Sequence, residues 1–235
     1  MFNPDARVRK VPLMKGVPPC LVIDDALVDP EGVVRLAAGL AFRPPAGFPY
    51  PGLVAEVPYS LTSWMSDLFA QHARGLLGGR RTLDASVRAS LVTTSPAELE
   101  PRQWQCHRDR VSDNPQHTLF AASVLYLFKD PEMGGTSFYR PRLSSEDTDQ
   151  LLADSQLLDA SVFASRYGLA ASYMIESNAY FERVVSVPAA WNRLIFYDGG
   201  VFHSADISKP ERLSRDPHRG RLTLNGFFTC RRPAI

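Results

Sequence analysis

The sequence predicts a mainly β protein with some helix: two N-terminal helices supporting an antiparallel β-barrel that carries one helical excursion. Three observations lead there. Apolar residues at helical spacing mark two helices before residue 85, beyond which the pattern changes to strands. From Ser90 onward, short runs rich in β-branched and aromatic residues recur between Gly, Pro and polar turns. One capped helical segment, over about residues 144–173, interrupts those runs. At 235 residues the chain is long enough for one good core, and a barrel or sandwich of this size is normal as a single domain. One domain over residues 1–235 is therefore expected, with 1–89 as helical support and 90–232 as the β core.

Met1 to Pro19 is a polar, Pro-rich lead-in, where Arg7, Arg9, Lys10 and Lys15 accompany no apolar stretch of signal-peptide length. Cys20-Leu21-Val22-Ile23 reads as a short buried strand. Asp29-Pro30-Glu31 supplies an N-cap, a proline at the first helical position and an early acid. Val33, Leu36, Ala37 and Leu40 follow at helical spacing, giving a helix of about three turns. Phe42 to Pro58 is rich in Pro, Gly and aromatic residues and is expected to be a packed loop, a natural lip over a site. Leu61, Trp64, Met65, Leu68, Phe69 and Leu76 mark a second amphipathic helix, packed on a sheet and stopped by Gly78-Gly79. Extended structure is expected at Ser90 to Thr94, Ala121 to Phe128, Thr136 to Tyr139, Arg183 to Val187, Arg193 to Tyr197 and Leu222 to Thr229. Ser144 with Asp147 resembles a capping box and opens the helical insert.

Lys and Arg number 26 against 25 Asp and Glu, a formal net charge of +1. That balance argues against the broad basic footprint of a nucleic-acid binder. No apolar run approaches membrane-spanning length. Cys20, Cys106 and Cys230 are an odd number at no zinc-ribbon spacing, and read as reduced thiols in a cytoplasmic protein. Cys106, although beside His107, is expected to be a buried strand thiol.

The chemistry concentrates in His107-Arg108-Asp109 and the distant His203. A histidine and a carboxylate two apart on an extended backbone point to the same side, so both can meet one ion. A second histidine completes three ligands and leaves three octahedral positions open, the arrangement of mononuclear non-haem Fe(II) oxygenases. Arg221-Leu222-Thr223-Leu224-Asn225 alternates so that an arginine, a hydroxyl and an amide share one face. A surface strand can do this, and so can the inside of a barrel that holds a polar co-substrate. Arginine suits a carboxylate there because its planar fork donates two parallel hydrogen bonds. Tyr126, on a strongly β run, is either core or a second donor to the same carboxylate.

In chain order, His107-x-Asp109, Tyr126-Leu127, Gly134-Gly135-Thr136-Ser137-Phe138, His203 and Arg221-x-Thr223 resemble the 2-oxoglutarate/Fe(II)-dependent dioxygenases. The likeness is to the prolyl-hydroxylase-like branch, and Trp191-Asn192-Arg193-Leu194-Ile195-Phe196 is similar to that branch's strand leading into the distal histidine. It spans about residues 90–230, and Met1 to Ala89 match only as helical support. The resemblance implies a double-stranded β-helix (jelly-roll) core. It implies Fe(II) on His107, Asp109 and His203, with the distal carboxylate of 2-oxoglutarate on Arg221 and hydrogen-bonding support from Tyr126 and Thr223. The implied oxidoreductase chemistry is that of a dioxygenase: 2-oxoglutarate goes to succinate and carbon dioxide while a substrate C–H bond is hydroxylated. Related halogenases carry a small residue where Asp109 stands, so Asp109 implies hydroxylation or desaturation.

The chain departs from that branch between His203 and Arg221, where Asp206 to Gly220 resembles an inserted polar loop. Arg219, of the same strand parity, is therefore a rival to Arg221. Lys129 stands where the branch often has Asn or Asp. His72, His117 and His218 read as solvated or locally bonded, and Arg212, Arg215, Arg219, Arg231 and Arg232 as a solvated face. Two other functions compete: a non-catalytic metal- or ligand-binding β-barrel, and a zinc hydrolase on the same ligands. The second leaves Arg221-x-Thr223 without purpose and lacks a general-base carboxylate beside the histidines. The insert after Arg142 and the loop Phe42 to Pro58 are the natural substrate lids. Small molecule, amino acid and peptide all remain open as substrate, and oligomeric state is not legible.

Overall fold

The computed structural model describes residues 2–109, 114 and 116–233. Its elements are β1 (Arg7–Val11), β2 (Cys20–Asp24), α1 (Pro30–Ala38), β3 (Gly52–Glu56), α2 (Tyr59–Leu68), β4 (Arg81–Val92) and β5 (Thr118–Tyr126). They continue with β6 (Thr136–Pro141), α3 (Ser145–Leu157), α4 (Ala160–Tyr167), β7 (Phe181–Val187), β8 (Arg193–Asp198), β9 (Phe202–Ala205) and β10 (Arg221–Arg231).

Period-two patterning sorts these strands into two antiparallel sheets. The main sheet runs β1-β2-β8-β5-β10-β4-β3 and the smaller one β7-β6-β9. From β4 onward the chain alternates between them: β4 main, residue 107 small (through its bridge to His203), β5 main, β6 and β7 small, β8 main, β9 small, β10 main.

β10 shows why two layers are needed. Leu222, Leu224 and Phe228 turn to one face and join a core with Met65, Leu68 and Phe69 from α2 and the turn that extends it. The Phe69 ring stacks on Phe228, centroids 4.1 Å apart. The opposite face of the main sheet meets the small sheet across Val124, Tyr126, Phe138, Val187, Ile195 and Tyr197. At the level of Arg221, Thr223 and Asn225 that second face turns polar, and the sheets part to form a pocket.

Local signals act as expected at several ends. Asp29 caps α1 by accepting from the Gly32 N–H at 2.8 Å, and Ser144 caps α3 by accepting from the Asp147 N–H at 3.1 Å. α2 passes into a π-helical turn over Phe69–Ala73. Other expectations need correction. β4 begins at Arg81, well before Ser90, because β10 pairs along its whole length and overrides its polar composition. Phe42 to Pro58 is not all loop: Gly52–Glu56 forms β3. β1 is an exposed, charged edge strand, whose charges discourage further pairing, and β9 has only four residues.

Candidate metal centre and pocket

His107 and His203 face each other directly. Each backbone N–H donates to the other's carbonyl at 2.9 Å, and the Asp109 N–H donates to the Gly199 carbonyl at 2.9 Å. This extended stretch sends the His107 and Asp109 side chains to one side. The three ligand atoms of His107, Asp109 and His203 lie within 4.8 Å of one another. His107 Nε2 is 3.8 Å from Asp109 Oδ1, and His203 Nε2 is 3.4 Å from Asp109 Oδ2. Apart from this ionic contact, the buried Oδ2 has no hydrogen bond. His203 Nδ1 lies 2.9 Å from the Val201 carbonyl. A carbonyl only accepts, so Nδ1 carries a proton and Nε2 is the atom presented to an ion. Two imidazoles and a carboxylate aimed at one point, with one carboxylate oxygen otherwise unpartnered, is a donor set that fits Fe(II).

The electrostatics divide the two histidines. Burial pulls His203 down, but the Asp109 carboxylate 3.4 Å away, with the Val201 carbonyl, outweighs it and leaves its pKa raised. His107 is pushed down to about 4 by desolvation and by His203, against Asp109. Its side chain is nevertheless 54% exposed, because the ring opens onto the pocket. Burial raises Asp109, while His203, His107 and Arg88 lower it further, so it remains ionised. An ion must therefore displace the proton that Asp109 holds on His203, so affinity falls as pH drops through that raised pKa. At about pH 5.5, Fe(II) binding should release close to one proton, with His107 already neutral. Anaerobic calorimetry in buffers of different ionisation enthalpy checks this, and release of two protons would contradict it.

The triad opens into a pocket of about 790 Å³. Phe48, Pro49 and Tyr50 come from the loop before β3, Leu152, Ser155 and Gln156 from α3, and Arg88, Arg221, Asn225 and Phe227 from the main sheet. Arg221 is 4% exposed. Its Nε donates to the Met133 and Gly134 carbonyls at 2.9 and 3.1 Å, and Nη2 donates to those of Gly134 and Gly135 at 3.0 Å. The paired glycines are what let the turn approach so closely. Gly134 has φ +87°, and a Cβ there would collide with the Asp206 carbonyl, as one at Gly135 would with the Val187 carbonyl. Nη1 is the guanidinium nitrogen with no hydrogen bond among the described residues.

Tyr126 and Thr223 are fully buried. The Tyr126 hydroxyl pairs with that of Thr136 at 2.7 Å, and Thr136 lines the pocket. The Thr223 hydroxyl donates to Asn225 Oδ1 at 2.6 Å. Arg219 lines a separate pocket with Glu31, Lys129, Trp191 and His218, so the rival to Arg221 lies away from the triad. Lys129 pairs with Glu31 at 2.6 Å. Cys106 is buried and its thiol is pushed up by desolvation; it stands outside the ligand cluster.

Three pocket residues escaped the sequence reading. Arg88, Tyr50 and Gln105 all line the pocket, and the Arg88 Nε, the Tyr50 hydroxyl and both Gln105 amide atoms are buried without a hydrogen-bond partner. The signal for Arg88 was the alternation Ser86-x-Arg88-x-Ser90, hidden by starting the strand at Ser90. Tyr50 and Gln105 sit in loops and carry no such signal.

Residues 4–228 match the model of a family described as a family of unknown function (DUF6445). No curated protein matches the chain. Among solved structures, HygX from Streptomyces hygroscopicus, with nickel, 2-oxoglutarate and hygromycin B bound, is 12% identical over 91% of this chain and 83% of its own, with a TM-score of 0.48. The non-heme alpha ketoglutarate dependent epimerase SnoN from nogalamycin biosynthesis is 13% identical over 91% and 81%, with a TM-score of 0.47. A prolyl 4-hydroxylase from Phytophthora capsici is 12% identical over 90% of this chain and 58% of its own, with a TM-score of 0.42. Likeness at this level transfers neither fold nor chemistry.

Proposed function

The chain belongs to this family of unknown function, DUF6445, and we propose that it is an Fe(II)- and 2-oxoglutarate-dependent oxygenase, specifically a hydroxylase. The observation that carries the proposal is the convergence of His107, Asp109 and His203 at a pocket whose wall holds a buried arginine. The alternation of strands between two sheets supports reading residues 90–232 as a double-stranded β-helix, within one domain over 1–235. The Tyr-Leu and Gly-Gly elements support the prolyl-hydroxylase-like branch.

His107, Asp109 and His203 would hold Fe(II), and Arg221 would hold the distal carboxylate of 2-oxoglutarate through Nη1. Tyr126, by its bond to Thr136, and Thr223, by its bond to Asn225, would position that end of the pocket. Bound together, metal and co-substrate supply the oxidising power for hydroxylating a C–H bond, with release of succinate and carbon dioxide. The chain's own work is to keep Asp109 ionised, present His203 through Nε2 and wall the site from water with Phe48, Tyr50 and α3. A pocket of about 790 Å³ suits a small-molecule substrate. Among the described residues no helix is long and apolar enough to cross a membrane. The three cysteines are free and buried, in keeping with a cytoplasmic setting.

Anaerobic titration of the metal-free protein with Fe(II) and then 2-oxoglutarate tests the proposal. A weak visible charge-transfer band that saturates with 2-oxoglutarate is expected. A flat spectrum together with tight zinc binding would overturn it.

A further inference from the structure

Arg88 is a half-buried cation that makes no ion pair or hydrogen bond among the described residues, with the Asp109 carboxylate within Coulombic reach. It projects from β4, opposite Asn225 of β10 and Glu56 of β3, into the pocket that holds the triad. Aromatic rings surround it: its Cζ lies 4.1 Å from the Phe48 centroid, 4.6 Å from Phe227 and 5.8 Å from Tyr50. Its Nε is buried with no hydrogen bond. Glu56, its cross-strand neighbour, is exposed and makes no ion pair with it. Desolvation lowers the Arg88 pKa, a sign of how poorly this environment solvates its charge. Cation–π contacts with these rings offset only part of the cost of desolvating the guanidinium.

The pocket's other cations are accounted for. Arg102 pairs with Glu100 at 2.6 Å and Arg108 with Asp149 at 3.2 Å. Arg221 is locked onto the Gly134-Gly135 turn. Arg88 alone among them makes neither an ion pair nor a hydrogen bond among the described residues; Asp109 acts on it only through its field.

We infer that Arg88 is the substrate's anion receptor, and that the substrate carries a carboxylate on a flat or apolar body. This rests on the oxygenase reading for what happens to the substrate, but not for its binding. The guanidinium edge donates to the carboxylate, and Phe48, Tyr50 and Phe227 take the adjoining apolar surface. A carboxylate at this point neutralises Arg88 and places the rest of the molecule toward His107 and Asp109, which share the pocket with it. Arg221 serves the co-substrate and Arg88 the substrate, so the two anions do not compete.

The test uses phenylacetate and 3-phenylpropionate, each against its primary amide, on protein loaded anaerobically with Fe(II) and 2-oxoglutarate. Binding is read from proton NMR line broadening, and repeated on metal-free protein. Each acid should bind the wild type at least about tenfold more tightly than its amide. In Arg88→Met that preference should fall to near one, while the charge-transfer band keeps its 2-oxoglutarate half-saturation. Arg88→Lys keeps the charge without the fork and should show an intermediate preference; it decides the question if Arg88→Met fails to fold. No acid preference in the wild type, or a preference that survives Arg88→Met, overturns the inference. So does loss of the band in Arg88→Met, which would put Arg88 on the co-substrate. A wild type without the band, yet with an Arg88-dependent acid preference in metal-free protein, overturns the oxygenase reading and leaves the receptor standing.

Discussion

His203→Ala is expected to abolish Fe(II) binding and, with it, all turnover. His203 is 4% exposed and is held twice: its backbone pairs with His107 in both directions, and its Nδ1 is anchored on Val201. The ring therefore presents Nε2 to an ion with little freedom left to lose. Loss of an outer-sphere partner that orients a ligand typically costs about 10–100-fold in metal affinity, so loss of the ligand itself should exceed about 100-fold. The backbone bridge does not depend on the side chain, so the fold should survive. Equilibrium dialysis against Fe(II) under anaerobic conditions, paired with a thermal melt, reads both parts. Wild-type affinity in His203→Ala would remove this residue from the metal site.

Arg221→Ala should lose on two counts, and the structure explains why they come together. The guanidinium satisfies the carbonyls of Met133, Gly134 and Gly135 inside the protein. Buried acceptors left unpaired cost about 1–3 kcal/mol each, so a stability loss on the order of 3 kcal/mol is expected. For a chain of this size that corresponds to a Tm lower by about 6–12 °C. Loss of the proposed charge-assisted bond to the co-substrate should also raise the 2-oxoglutarate concentration that half-saturates the charge-transfer band by about 10–100-fold. Arg221→Lys keeps the charge but not the fork, and should fall between wild type and alanine on both readings. A lower Tm with unchanged 2-oxoglutarate half-saturation would make Arg221 a purely structural brace of the glycine turn.

The pairing of His107 with Asp109 was legible because its signal is local. His107-x-Asp109 needs only an extended backbone to aim two side chains one way. α1 and α3 were legible for the same reason: Asp29 and Ser144 bond to N–H groups within three residues of themselves. β3, β9 and the first half of β4 were not. Asp84, Ser86 and Arg88 have little intrinsic strand preference, and pairing with β10, far along the chain, holds them in the strand.

The sequence by itself determined a mainly β core with helices, a histidine and a carboxylate sent to one side of an extended stretch, and an arginine on a polar strand face. Only the tertiary structure decided which arginine lies where. It placed Arg219 in another pocket, bound Arg221 to three backbone carbonyls, and left Arg88 among aromatic rings with a buried Nε that makes no hydrogen bond. The physical reason is that one guanidinium looks like another along a chain. Its role depends on whether carbonyls, carboxylates or nothing surround it, and residues distant in sequence supply those neighbours.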